Sequence, residues 1–265
     1  KVIDAKKITS KSKDIQNSGN DSKPKNKVNI IAQEHIDMPI AKVSKTGEVN
    51  QNSMVWITAF DELLYKLSHK YSLNKVTHFI ADATSSTVLL TDQNQQAVTP
   101  AIMYNDNCSI SEAHLVKQWF DKFLLQTKSL KNNNSSINLQ DDVNLTINNS
   151  NGTMGIGALG MSSSLAKAIR LSAQPPKKQE NLTICHQLDF INQYIANCGN
   201  VTDENNALKL GFDSIKFCWP TWVEDLTNTL NLTLPKVVKP GTLIGTVKPE
   251  MCSRFGFNPE LKIMA

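Results

Sequence analysis

No apolar run in the sequence approaches the roughly 18 to 20 residues that a membrane-spanning helix requires. With a mean hydropathy of −0.30, the chain shows no sign of a membrane partner. No secretory leader pattern opens it either, because residues 1–27 are lysine and polar side chains throughout, not a basic start followed by an apolar block. Cysteine is sparse. Cys108, Cys185, Cys198, Cys218 and Cys252 are odd in number, far apart and without a C-x-x-C, which suggests neither a disulfide framework nor a zinc ribbon and favours a reducing, cytoplasmic setting. Aromatic residues make up only 6%. The net charge of +4 is confined to the start, where eight lysines stand against Asp4, Asp14 and Asp21. A nucleic-acid binder carries its basic residues across a folded face, interleaved with aromatics, so nucleic acid is not expected as a partner.

Several chemical signatures are missing as well. The five histidines, 35, 69, 78, 114 and 186, show no H-E-x-x-H or i, i+4 pairing, so no metal site is expected. There is no G-x-S-x-G elbow, and Ser162-Ser-Ser164 ahead of a helix reads as an N-cap. No G-x-x-x-x-G-K-[ST] phosphate loop is present. Gly155-Ile-Gly157-Ala-Leu-Gly160 does satisfy G-x-G-x-x-G, but a dinucleotide fingerprint needs a buried strand just before it, and here Asn148-Asn-Ser-Asn-Gly-Thr153 precedes it. A glycine-rich entry into the following helix is the reading adopted.

What remains is an ordinary globular composition over 265 residues, 40% hydrophobic and 20% charged, enough for one large domain or two small ones. Residues 5–27 and 131–153 are polar, with too little apolar surface to offset their ordering entropy, and are expected to be disordered insertions, one lysine-rich and one asparagine-rich. Val28–Met38 reads as a strand. Asn52 or Ser53 caps a helix whose Trp56, Phe60, Leu63, Leu64 and Leu67 line one face. Val76–Ala81, Thr87–Thr91 and Ala97–Met103 read as strands, the last two joined by the turn at Asp92–Gln96. Ser109-Ile-Ser-Glu112 has the form of a capping box, and further helices are expected at Ser162–Leu171, Ile184–Ala196 and Trp219–Leu230. Strands early and helices later give a mixed α/β layer architecture.

Two polar clusters stand out. Asp82-Ala-Thr-Ser-Ser-Thr87 lies between two strands and Tyr104-Asn-Asp106 closes a third. Pairing of these strands would bring hydroxyls and a carboxylate to one sheet edge, where α/β sites are commonly built. Turn residues satisfying their own backbone is the competing explanation, and the pattern alone leaves both open.

Four collinear blocks carry a resemblance: HFIADATSSTVLLTDQNQQAVTPAIMYND (78–106), SSSLAKAIRL (162–171), HQLDFINQYIANCGNVTDENNALKLGFD (186–213) and LPKVVKPGTLIGTV (234–247). Together they resemble the N-terminal domain of FGGY carbohydrate kinases, nearest the ribulokinase and xylulokinase branch. The resemblance implies an α/β, ribonuclease-H-like domain of the actin and hexokinase type, a mixed sheet with flanking helices, spanning 28–265. Residues 1–27 would be a strand remnant plus the lysine-rich insertion, with 131–153 as a second insertion. It further implies an ATP-dependent, Mg²⁺-requiring transfer of phosphate to a hydroxyl of a sugar, a pentulose by branch.

By residue-to-residue match, Thr84 and Ser85 fall where the family's early hairpin faces the sugar, and Asn105 and Asp106 match the Asn-Asp of its W-N-D-x-R block; these four are the expected substrate contacts. Lys167 matches the lysine of the K-x-x-W-L helix, and Asp203 and Asn206 match a T-D-x-x-N-A block that holds helices together. Departures accompany the match. Cys108 stands for the arginine of N-D-x-R, and Tyr104 stands where tryptophan is common. Lys1-Val-Ile-Asp4 resembles the end of the second strand, so the first strand and the G-x-D-x-G-T phosphate loop are expected to be missing, and the family's catalytic aspartate is expected beyond Ala265. No catalytic residue is therefore assigned, the C-terminal kinase domain is the expected missing partner, and this segment alone is expected to be inactive. The alternative is a non-catalytic sugar-binding or regulatory relic of such a kinase.

Overall fold

The structure is a computed structural model that describes residues 2–3, 30–132, 153–173 and 181–265. Most of the two expected disordered insertions, 5–27 and 131–153, therefore lies outside the described residues. In chain order the elements begin with β1 (Val2–Ile3), β2 (Ile30–Ala32), β3 (Lys42–Val43), β4 (Val49–Gln51) and α1 (Met54–Lys70). There follow β5 (His78–Ile80), β6 (Val88–Thr91), β7 (Ala101–Ile102), α2 (Ile110–Asn132), α3 (Ser164–Ala173), β8 (Leu182–His186) and α4 (Gln187–Ile195). The chain continues through β9 (Val201–Asp203), α5 (Glu204–Ala207), α6 (Thr221–Thr229), β10 (Leu232–Thr233), β11 (Lys236–Val238), β12 (Leu243–Thr246), α7 (Pro249–Phe255) and β13 (Lys262–Met264).

The largest sheet among the described residues is mixed, in the order β10-β8-β6-β7-β4-β3. Its centre is the antiparallel pair β6 and β8, with Val88 opposite His186 and Thr91 opposite Thr183; β10 adds in parallel to β8. Both faces of β6 are covered, which is why Val88, Leu89 and Leu90 form an unbroken apolar run instead of alternating with polar residues. Val88 and Leu90 join a core with Val116 and Phe120 of α2, Leu165 and Ile169 of α3, and Trp222 and Leu226 of α6. Leu89 joins a second core on the opposite face with Trp56 of α1, Cys185 and Phe190. A third core packs Leu64 and Leu67 of α1 against Phe255 of α7 and Leu261 and Ile263, beside a smaller sheet ordered β12-β13-β5. The Tyr194 hydroxyl donates to Asp61, and Arg254 donates to both, tying α1, α4 and α7 together.

Several expectations hold closely. Asn52 Oδ1 accepts from Met54 N at the start of α1, and Asp92 Oδ1 accepts from Asn94 N and Gln96 N in the hairpin turn. Others do not. The helix expected from Ile184 begins only at Gln187, because Leu182–His186 is drawn into the sheet between β6 and β10. The strand expected over Val28–Met38 is regular only at Ile30–Ala32 among the described residues. The capping box at α2 is not made: Ser109 Oγ and Glu112 Oε2 are buried without a partner among the described residues.

The glycines of Gly155–Gly160 serve close packing. Gly155 has a φ of +83°, and a β-carbon there would stand 2.8 Å from Gly211 O; one on Gly157 would stand 2.3 Å from Leu208 O. Trp222 Nε1 donates to Met154 O at 2.8 Å, fastening the same loop to α6. The space a pyrophosphate would need is filled by protein. Gly157→Ala is expected to cost about 1 to 3 kcal/mol through overpacking, measured by urea unfolding; an unchanged midpoint would refute this account.

Candidate functional site

Because β6 runs antiparallel to both β7 and β8, its first residue lies beside the last residues of its two neighbours. Strand pairing therefore gathers three segments at one edge of the sheet: 82–87 before β6, 103–106 after β7, and His186-Gln187 at the end of β8. The entry to α3 closes the group. Thr84 Oγ1 donates to Gln187 Oε1 at 2.8 Å and lies 2.7 Å from Thr87 Oγ1. Thr87 Oγ1 accepts from Tyr104 N at 3.0 Å, and Ser86 Oγ donates to Ser162 O at 2.6 Å. The two polar clusters picked out in the sequence are thus brought together, and through their backbones as well as their side chains.

The four expected contact residues divide into two kinds. Thr84, Ser85 and Asn105 are exposed, beside a half-exposed Tyr104 at 51%. Asp106 stands next to them in sequence but is wholly buried. Its Oδ2 accepts from Val49 N at 2.7 Å and its Oδ1 from Cys108 N at 3.0 Å and Arg170 Nη2 at 2.9 Å. This differs from the solvated, sugar-facing carboxylate expected from the sequence: both oxygens are turned into the protein and engaged there. Burial pushes its pKa up, but the Arg170 guanidinium and the two backbone N–H groups outweigh this and hold it below the usual carboxylate value.

Beneath the edge, α3 presents Lys167 and Arg170 one turn apart. Lys167 is fully buried, and its Nζ donates to the carbonyls of Met103 at 2.8 Å, Ser86 at 3.0 Å and Tyr104 at 3.3 Å. Burial lowers its pKa to about 8. Alongside lies a second buried set. His186 Nδ1 is 3.1 Å from Asp189 Oδ2, its Nε2 is 3.3 Å from Ser164 Oγ, and Ser164 Oγ donates to Ser86 Oγ at 3.3 Å. Ser, His and Asp are in a row here, yet all three are sealed from solvent, so no substrate carbonyl can reach the serine. Burial pushes the Cys185 thiol up, and that of Cys198 up to about 11. Among the described residues, no group of three or more His, Cys, Asp or Glu side chains comes together to hold a metal ion.

Arg170 and Gln187 escaped the reading of the sequence, whereas Ser86 and Thr87 lie in a polar cluster singled out there but were not named as contacts. One signal was available for Arg170. In SLAKAIRL two cations three residues apart interrupt an apolar helix, and charged residues are almost never fully buried unless paired.

No family model matches the sequence. Solved structures do resemble the fold. The glycerol kinase of Plasmodium falciparum with ADP is similar with a TM-score of 0.63 and 17% identity, over 90% of this chain and 44% of that one. The ligand-bound xylulose kinase of Lactobacillus acidophilus is similar with a TM-score of 0.60 and 15% identity, over 86% of this chain and 41% of that one. The xylulose kinase of Rhodospirillum rubrum gives 0.58 and 14%, over 90% and 46%. The α/β fold, with its mixed sheet and flanking helices, is thus one found in sugar kinases, and the chain matches less than half the length of these relatives.

The Asp106–Arg170 pair can be tested directly. Arg170→Met leaves a buried carboxylate without its counter-charge and is expected to cost about 3 to 5 kcal/mol at pH 7. In the unchanged protein the depressed Asp106 pKa gives stability that is present above the unfolded value of 3.8 and lost as pH falls through the folded value. Without the arginine that pKa rises, so the deficit of the variant is expected to narrow as pH falls from 7 toward 4. Urea unfolding across that range checks this, and a pH-independent deficit would contradict it.

Proposed function

We propose that the chain is the sugar-binding part of an ATP-dependent carbohydrate kinase of the FGGY type, built on a ribonuclease-H-like domain over residues 28–265, with a pentulose as substrate. The observation that carries this reading is the convergence of Thr84, Ser85, Tyr104 and Asn105 on one exposed sheet edge, over a hydrogen-bonded floor, in a fold similar to that of xylulose and glycerol kinases. Hydroxyl and amide groups that donate and accept suit a polyol, and an aromatic face suits the C–H face of a sugar. Thr84, Ser85 and Asn105 are the contacts in this reading. Asp106 acts one step back, by holding the loop that carries Asn105.

In such a reaction, catalysis rests on positioning and on electrostatic stabilisation of the transferring phosphoryl group. This chain's part is to orient the sugar hydroxyl. For ATP and Mg²⁺ the described residues bring together no group of three or more metal-binding side chains, and the glycine loop at 155–160 is packed against protein. Both therefore belong, in this proposal, to the complete enzyme and to a second, C-terminal kinase domain. Matching only 41 to 46% of the length of the similar kinases supports that division.

Calorimetric titration of the chain with D-xylulose, glycerol and gluconate is the test. Binding of the pentulose is expected, with Thr84→Ala and Asn105→Ala each weakening it by about 0.5 to 1.5 kcal/mol, a few-fold to about tenfold, in variants that remain folded. Phosphate transfer from Mg-ATP by this chain alone is expected to be negligible. No binding of any of the three, or binding indifferent to both substitutions, would remove the basis of the proposal.

A further inference from the structure

The two arms of the polar edge, 84–87 and 103–106, touch each other through few groups, and one side chain joins both. Lys167 Nζ holds Ser86 O from the first arm and Met103 O and Tyr104 O from the second. Of these carbonyls, Met103 O also accepts from Asp106 N. Tyr104 is fixed on both sides, its N–H on Thr87 Oγ1 and its C=O on Lys167. Every donor geometry of the amine is thereby used on the backbone of the edge, and none on a carboxylate. A lysine serving only to fill space would not be paid for by three carbonyls from two separate segments, since an apolar side chain of the same length fills space without burying a charge.

We infer that Lys167 is the positioning residue of this edge: it sets the spacing between the Thr84–Ser85 arm and the Tyr104–Asn105 arm, and so the size of polyol that the edge accommodates. The inference rests on the sugar-binding reading for its consequence, but the latch itself is a property of the fold. Charged groups act on the amine from three places: Asp106 from the second arm favours its proton, whereas Lys209, from the turn after α5, and Arg170, on α3 itself, oppose it. His186 faces Ser164 instead. Loss of the proton leaves the amine two N–H donors and removes the cost of a charge held away from water. The closed arms therefore favour the neutral amine: held shut they keep its pKa near 8, whereas in an opened arm it returns to 10.5.

The experiment is amide hydrogen exchange on the full 265-residue chain, without sugar, corrected for the intrinsic pH dependence of exchange. Lys167→Met is expected to lower protection at least tenfold in segments 84–87 and 103–106 while β6 and β8 retain theirs. Equal loss throughout the sheet, or no loss in the arms, would overturn the inference. Should the variant not fold, the unchanged chain decides: protection of the Thr87, Tyr104 and Asp106 amides is expected to rise severalfold from pH 8 to 10, with strand amides unaffected, and a flat profile overturns it. D-xylulose titration separates the two readings. An unchanged chain that binds no sugar but shows the selective exchange pattern retains the latch and loses the sugar. Conversely, undiminished sugar binding by folded Lys167→Met removes the positioning role while leaving the sugar site.

Discussion

A single buried ammonium governs the geometry of the exposed edge. An ion the size of the Lys167 head group loses several kcal/mol of hydration on burial, and three carbonyl oxygens at hydrogen-bond distance offset part of it. Those oxygens lie in two loops that leave the sheet from neighbouring strands. The position of α3 against β6 and the conformations of both loops are therefore a single constraint. Arg170, one turn further along, repeats the device with Asp106, whose carboxylate in turn reaches β4 through Val49 N. Two cations on one helix thus reach β4 and the loops flanking β6 and β7, and the exposed hydroxyls and amide above them inherit that rigidity.

The exposed edge and the buried network beneath it have different origins in the sequence. Thr84, Ser85 and Asn105 are turn residues in type, and turn chemistry alone could have placed them anywhere on the surface. What brings them together is the hairpin pairing of β6 with β7, and Gln187 joins them from far off in the chain at the end of β8. The Ser-His-Asp row of Ser164, His186 and Asp189 shows the opposite case. Its chemistry is suggestive and its distances are ordinary, but burial makes it a structural network that fixes the end of β8 to the start of α3.

Legibility followed the range of the forces involved. The amphipathic face of α1, the Asp92 turn and the apolar run of β6 were all plain, because each is decided within a few residues. Ile184–Ala196 was read as one helix because its apolar residues fit a helical period, while the pull of β6 and β10 on Leu182–His186 comes from residues far off in the chain. The capping signature at Ser109 was sound as a local pattern, yet its hydroxyl lies buried without a partner among the described residues. Asp106 follows Asn105 in the chain and was read with it as a sugar contact, but the direction of its carboxylate depends on Arg170 and Val49, 64 and 57 positions away. A linear pattern shows that a charge is present; its partner is set by the fold.

The central pair of the large sheet also has a kinetic meaning. Val88 meets His186 and Thr91 meets Thr183, so the chain must close a loop of roughly a hundred residues before its most buried strand gains its second partner, a topology that folds slowly beside one made of local contacts. Until then the apolar Val88-Leu89-Leu90 run has only its hairpin neighbour to cover it, and unpaired strand edges of that kind are where association between chains begins. During synthesis, this strand leaves the ribosome long before β8 does, so the interval between the two is the period in which the nascent domain most needs to be kept from its own copies.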